Sequence, residues 1–222
     1  MPALRQRVAT KNRNRLQQDE RRDQLLEAGL DLFQTKTYDE VSIDDIAKAV
    51  GVSKGLLYHY FGGKRAFYVA VVRLAADRLV AAVSPDRSLD PAAQAFTGLN
   101  AYLDFVESRS GVFVAFMQGG LGTDPEVEGI IRETRALFAQ QMLDGAGVTG
   151  DRPVFTMAAR TYVGAVEAAS LAWMDDPRVT REQLIVTLLS GLNAILLAAA
   201  ALDPDAGLEI EPNAHAALLQ DL

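Results

Sequence analysis

Between Val41 and Lys64 the chain carries hydroxyls, amines and aromatic rings at a spacing suited to touching a polyanion. Ser53, Lys54 and Gly55 stand together at the front of a short helical segment, and Tyr58, His59 and Tyr60 follow one turn later. Such a front end can enter a DNA major groove about 12 Å wide, where base edges and phosphates come closest. Gly55 lets backbone approach DNA closely. Lys64 opens the next helix, so its charge can reach a phosphate beside unpaired backbone N–H groups. Tyr58 is expected to keep its hydroxyl outside, whereas Tyr60 packs against the first helix. Other chemistry is poorly provided for. There is no cysteine, so thiolate zinc sites, disulfides and cysteine nucleophiles are excluded. His59 and His215 lie far apart, and neither a nucleophile with its base nor a phosphate loop appears. No cofactor is called for. The carboxylates Glu167, Asp175 and Asp176 read as a helix-interior charge and a C-terminal turn, which leaves little for a small-molecule enzyme built around the same scaffold.

These residues need elements to hold them. Ser42 can cap a helix whose first turn carries Asp44 and Asp45 and whose inward face is Ile43, Ile46, Ala47 and Val50. Gly51 ends that helix, Ser53 starts the next through Phe61, and Gly62 and Gly63 break it. Two short helices joined by a tight turn over about 42–61 form a helix-turn-helix. Ahead of them, Leu25, Leu26, Gly29, Leu30, Leu32 and Phe33 recur at three- and four-residue steps, which predicts a helix from about Asp19 to Gln34. Long helices are predicted from Lys64 to Val83, from Pro91 to Ser108, and after Asp124–Pro125. A short one is expected near 112–118, and two apolar ones over 153–174 and 180–202. Thr180 with Gln183 forms a capping-box pattern. No strand is needed, and the expected class is all-α.

The net charge of −7 would by itself argue against a nucleic-acid partner, but it is unevenly spread. Residues 1–65 hold 12 Lys and Arg against 9 Asp and Glu, while residues 66–222 hold 10 against 20. Arg5, Arg7, Lys11, Arg13 and Arg15 meet no acid before Asp19, which suggests a solvated, flexible basic arm over 1–18, a tail without a specific role or one that enters a minor groove. Neither a secretory signal nor a membrane span is indicated: Leu184 to Leu202 lacks charge, but Thr187, Ser190, Gly191 and Asn193 suit a buried helix or subunit interface. The expected place is the cytoplasm. A module for protein interaction alone would leave the charge division unexplained.

Ile46-Ala47, Gly51-Val52-Ser53, Leu57-Tyr58-His59-Tyr60-Phe61 and Lys64 together resemble the TetR family of bacterial transcriptional regulators. The resemblance covers about Asp19 to Tyr68, with two glycines before Lys64 where the family usually has one or none. It implies DNA contacts by Ser42, Lys54, Tyr58, His59 and Lys64, with Tyr58 and Lys64 mainly on phosphates. It also implies a three-helix DNA-binding domain over 19–65, a larger ligand-binding and dimerisation domain over 66–204, and a tail over 205–222. A homodimer fits the physical need, because one recognition helix reads few base pairs and two can span one helical turn of double-stranded DNA. The final two helices are the expected interface, with Ala168, Ala169, Gly191 and Ala194 allowing close approach. Between that interface and the long helix from Lys64, an effector pocket is expected among Tyr102, Phe105, Phe113, Phe116, Met117, Phe138, Met142, Tyr162, Glu167 and Trp173, with Gln118 a further polar candidate. An apolar or aromatic effector would suit it, and the acidic balance of this half also admits a cation. The family implies a ligand-responsive repressor released from a palindromic operator.

Overall fold

The computed structural model describes residues 2–108, 124–176, 178–208 and 210, with side chains from residue 18 onward. All regular structure among them is helical: α1 (Pro2–Phe33), α2 (Ile43–Ala49), α3 (Lys54–Phe61), α4 (Lys64–Val83), α5 (Pro91–Ser108), α6 (Pro125–Gly145), α7 (Pro153–Asp175) and α8 (Arg181–Leu202), followed by a 3-10 turn over Pro204–Ala206. The expected helix near 112–118, with Phe113, Phe116, Met117 and Gln118, and the histidine at 215 lie outside the described residues.

The first helix departs from expectation. It begins at Pro2 and runs 32 residues, where a flexible arm and a start near Asp19 were predicted. Residues 3–18 contain neither glycine nor proline and are mostly Arg, Gln, Ala and Leu, so propensity favours helix even where charge alone suggests a solvated coil.

The caps fall where the sequence places them. Ser42 Oγ accepts from Asp45 N at 3.2 Å while Asp45 Oδ2 accepts from Ser42 N at 2.9 Å, closing a capping box. Those bonds from Ser42 hold the Asp45 carboxyl below its usual pKa. Asp90 accepts from Ala93 N, and Thr180 pairs reciprocally with Gln183. Gly51, at φ 70°, makes the turn between α2 and α3, a conformation a Cβ would strain.

Packing divides into three connected clusters. The first joins α1–α4 with one end of α6: Leu25, Leu26, Leu30, Phe33, Ile46, Leu57 and Phe67 are buried with Val127, Ile130 and Ile131. Aromatic edges tie it together, with Phe61 against Phe67 at 4.9 Å and Phe33 against Tyr68 at 4.9 Å. Sealed in this core, the Tyr68 hydroxyl has its pKa pushed up by burial to about 12. The second cluster joins the far end of α4 with α5, α7 and α8 through Leu79, Leu103, Ile185 and Leu189. The third packs the far end of α6 on α7 and α8 around Phe155, Ala159 and Ala199. Helices α4 and α6 therefore cross from the head to the body. Helix α4 does so by continuity, and α6 by burying its first turns in the head.

Candidate nucleic-acid interface and effector cavity

Helix α3 has one buried face and one free face. Leu57 is fully buried and Phe61 nearly so, whereas Lys54, Gly55, Tyr58 and His59 are exposed, with Tyr58 at 50%. Tyr60 is half-buried against the head core, with its ring 5.5 Å from His59. Ser53 caps α3 by accepting from Leu56 N at 3.2 Å, and Ser42 stands exposed at the start of α2. The residues read from the sequence as DNA contacts are thus exposed on α3 and at the start of α2. The exception is Lys64. It is half-buried, and its Nζ rests 4.0 Å above the Tyr38 ring in a cation–π contact, so it must swing away to meet a phosphate. Lys54 is also engaged, 2.5 Å from Asp44 Oδ1. The sequence reading missed both partners because neither Tyr38 nor Asp44 belongs to the recognition helix.

At the other end of the molecule a cavity of about 200 Å³ lies between α5, α6, α7 and α8, with Val83 of α4 in its wall. Of the residues expected around an effector, Tyr102, Phe138, Met142, Tyr162 and Glu167 line it, together with Gln94, Gly98, Gln141, Gly145, Leu192 and Leu196, which the sequence did not single out. Two expected residues belong elsewhere. Phe105 packs at the junction of the head and body clusters. Trp173 donates its indole N–H to the Val179 carbonyl at 2.8 Å and fastens the α7–α8 turn. Both serve as packing rather than lining, the ordinary use of a large aromatic ring.

The cavity's charge is internally balanced. Glu167 is buried, and both of its oxygens accept from Arg135 Nε at 2.9 Å, with Arg135 Nη2 at 2.8 Å. Among the described lining residues, no carboxylate is left uncompensated to recruit a cation. Burial raises the Tyr102 and Tyr162 phenols, and for Tyr102 the neighbouring Glu167 adds to it, so both stay neutral hydrogen-bonding groups at ordinary pH.

Cavity and head are joined through α6. Its last turns carry Phe138, Gln141, Met142 and Gly145 into the cavity wall, and its first turns carry Val127, Ile130 and Ile131 into the head core. At the junction Asp124 caps α6 by accepting from Glu126 N at 2.9 Å and also takes a fork from Arg65 of α4, at 2.6 and 2.8 Å. The Arg65 fork, followed by the backbone donors, holds the Asp124 carboxyl below its usual pKa.

Two family descriptions match this arrangement. Residues 25–71 match "Bacterial regulatory proteins, tetR family", and residues 91–195 match "Tetracyclin repressor-like, C-terminal domain". A TetR-family transcriptional regulator of known structure from Streptomyces coelicolor superposes with a TM-score of 0.78 at 31% identity, covering 91% of this chain and 88% of that one. The chain belongs to the TetR family. Among its relatives, the HTH-type transcriptional activator FasR of Mycolicibacterium smegmatis is 34% identical over 116 residues, 51% of this chain and 53% of that protein. IcaR of Staphylococcus aureus, a negative transcriptional regulator of a biofilm operon, is 36% identical over 58 residues, 26% of this chain and 31% of its own length. The matches thus span about half of one relative and a third of the other. This TetR-family chain is a transcriptional regulator of helix-turn-helix type with an all-helical C-terminal domain.

Proposed function

We propose that the chain is a homodimeric, ligand-responsive repressor of the cytoplasm that holds a palindromic operator through two copies of α3. An uncharged, mainly apolar small molecule, entering the cavity, releases it. The observation that carries this reading is α6 itself, one helix that lines the cavity at one end and forms part of the DNA-binding head's core at the other. A ligand that displaces Phe138 or Met142 moves a rigid rod whose other end is clamped to Arg65 at the start of α4, directly after the recognition helix. Release then requires the ligand to bind the DNA-incompetent arrangement more tightly than the competent one.

Support for the dimer comes from the outer faces of α7 and α8. Gly164, Ala165, Ala168, Gly191, Ala194 and Ala198 are exposed, and nothing lies within 4 Å of a Cβ added at Gly164 or Gly191. Small residues over two adjacent helices allow the same pair from a second copy to approach closely, whereas Ala169 turns inward against the body core. Helix α8 is long and apolar enough to cross a membrane by composition, but Leu184, Ile185, Leu188 and Leu189 are buried against the body. A subunit interface accounts for the rest of its apolar character. Repression follows from occupancy, since a dimer covering its operator excludes other proteins without further contacts.

The test is selection of bound duplexes from a random DNA pool with wild type and with the Tyr58→Ala, Lys64→Ala double variant. A palindrome enriched by wild type and lost by the variant supports the reading. No enrichment by either protein refutes it.

A further inference from the structure

The first acid of α2, Asp44, takes no part in capping that helix. Asp45 closes the capping box with Ser42, but Asp44 makes no cap bond and reaches instead to Lys54, the first residue of the recognition helix, at 2.5 Å. Both side chains are more than half exposed, so the pair adds little to stability. An acid at this place works against simple phosphate binding, because it neutralises the one lysine on α3 and repels the polyanion. The folded head gives no surplus to offset it. Residues 19–65 carry seven Lys and Arg against nine Asp and Glu, and the positive excess of this part of the chain lies at residues 5–15.

A donor held beside an acceptor does match a base-pair edge. In the major groove a G·C pair presents the guanine acceptors N7 and O6 next to the cytosine N4 donor, with O6 and N4 about 2.9 Å apart because they hydrogen-bond each other. Lys54 Nζ and Asp44 Oδ1 are 2.5 Å apart, a similar separation. The ammonium has three donors and the carboxylate two oxygens, so each can keep the other and still bond one base. A T·A pair also sets a donor, adenine N6, beside an acceptor, thymine O4, but with the carboxylate on N6 the lysine meets on thymine one acceptor flanked by the methyl, where guanine offers both O6 and N7. Resting on the reading of α3 as the recognition helix, we propose that Asp44 is a specificity-determining residue. With Lys54 it reads one G·C base pair in each operator half-site, Lys54 on guanine and Asp44 on cytosine N4.

The experiment is a cycle of protein and base-pair changes. Duplexes are first selected from a random pool with wild type and with Asp44→Ala. The affinity of both proteins is then measured for the selected operator and for one with the implicated pair exchanged, and melting temperatures monitor folding. Wild type should retain one G·C column per half-site and bind the exchanged operator about tenfold or more weaker. Asp44→Ala should discriminate by less than about twofold at that column alone, with the other columns and the melting temperature kept. An unchanged column in Asp44→Ala, an Asp44-dependent column that is not G·C, or a loss of the whole motif with a lowered melting temperature each overturns the proposal. If wild type enriches no motif, the DNA-binding reading itself has failed and the proposal falls with it.

Discussion

Replacing Gly29 by alanine should weaken both the fold and the grip on DNA. On an exposed helix the change would help, since alanine is favoured over glycine by about 1 kcal/mol. Gly29, however, lies on the buried face of α1 where α4 crosses. A Cβ built there would stand 2.6 Å from Phe67 Cζ and 2.6 Å from Val71 Cγ2, well inside contact distance. Neither neighbour has room to yield: Phe67 is 0% and Val71 1% exposed, and the Phe67 ring is wedged against Phe61. Overpacking of this kind costs about 1–3 kcal/mol net, which in a chain of this size lowers the melting temperature by roughly 3–10 °C. Because Phe61 ends the recognition helix, the displaced Phe67 ring should also tilt α3, so operator affinity falls even at temperatures where the variant stays folded. Thermal denaturation followed by circular dichroism, with operator titration at 15 °C below the midpoint, reads both effects. A Gly29→Ala protein as stable as wild type, or one destabilised with unaltered operator affinity, would refute the proposed coupling of this contact to α3.

Four further outcomes are expected. Deleting residues 2–15 should weaken operator binding and flatten the dependence of log affinity on log salt by up to about 0.9 per lost phosphate contact, and an unchanged slope would show that the basic segment does not touch DNA. Gly191→Glu places a charge on the open face of α8, so sedimentation should shift from dimer to monomer with helicity retained. Leu192→Trp should fill the cavity, leaving operator affinity intact while abolishing release by whatever small molecule releases wild type; release at the usual concentration would place the effector elsewhere. Asp124→Asn tests the fork to Arg65 by pH. A carboxyl with its folded pKa below the ordinary 3.8 contributes stability that is present above that value and lost as pH falls through the folded pKa. Wild type should therefore melt higher than Asp124→Asn at pH 7, with the gap closing only below about pH 4.

The head was largely legible because its signals are local. Ser42, Ser53 and Thr180 cap by reaching only three residues along the chain, and Gly51 supplies a conformation that few other residues can. Leu57 and Phe61 show their burial by helical spacing. At the beginning of α1 two signals conflict, since a block of like charges suggests a coil while the residues that carry it favour helix. The cavity was half legible. Tyr102, Phe138, Met142, Tyr162 and Glu167 attract notice as aromatic, adaptable or misplaced polar groups, but Leu192 and Leu196 look like any core leucine. Gly98 left a usable signal, glycine inside a helical pattern, which marks a place where space or close approach is needed. Phe105 and Trp173 went wrong for the complementary reason, that a large ring looks the same in sequence whether it fills a core or faces a void. The partners of charged groups, Arg135 for Glu167, Asp44 for Lys54 and Asp124 for Arg65, could not be read at all, since those pairings depend on how helices cross.

The most direct test of a dimeric DNA-gripping regulator is the stoichiometry and spacing of its complex on the selected operator, read by sedimentation and hydroxyl-radical footprinting with wild type and Gly191→Glu. Two protomers should bind each duplex and leave two protected tracts about one helical turn, roughly 34 Å, or a multiple of it apart, both lost in the variant at concentrations that saturate wild type. A single protomer per duplex, or an unchanged footprint from a monomeric Gly191→Glu, would contradict it.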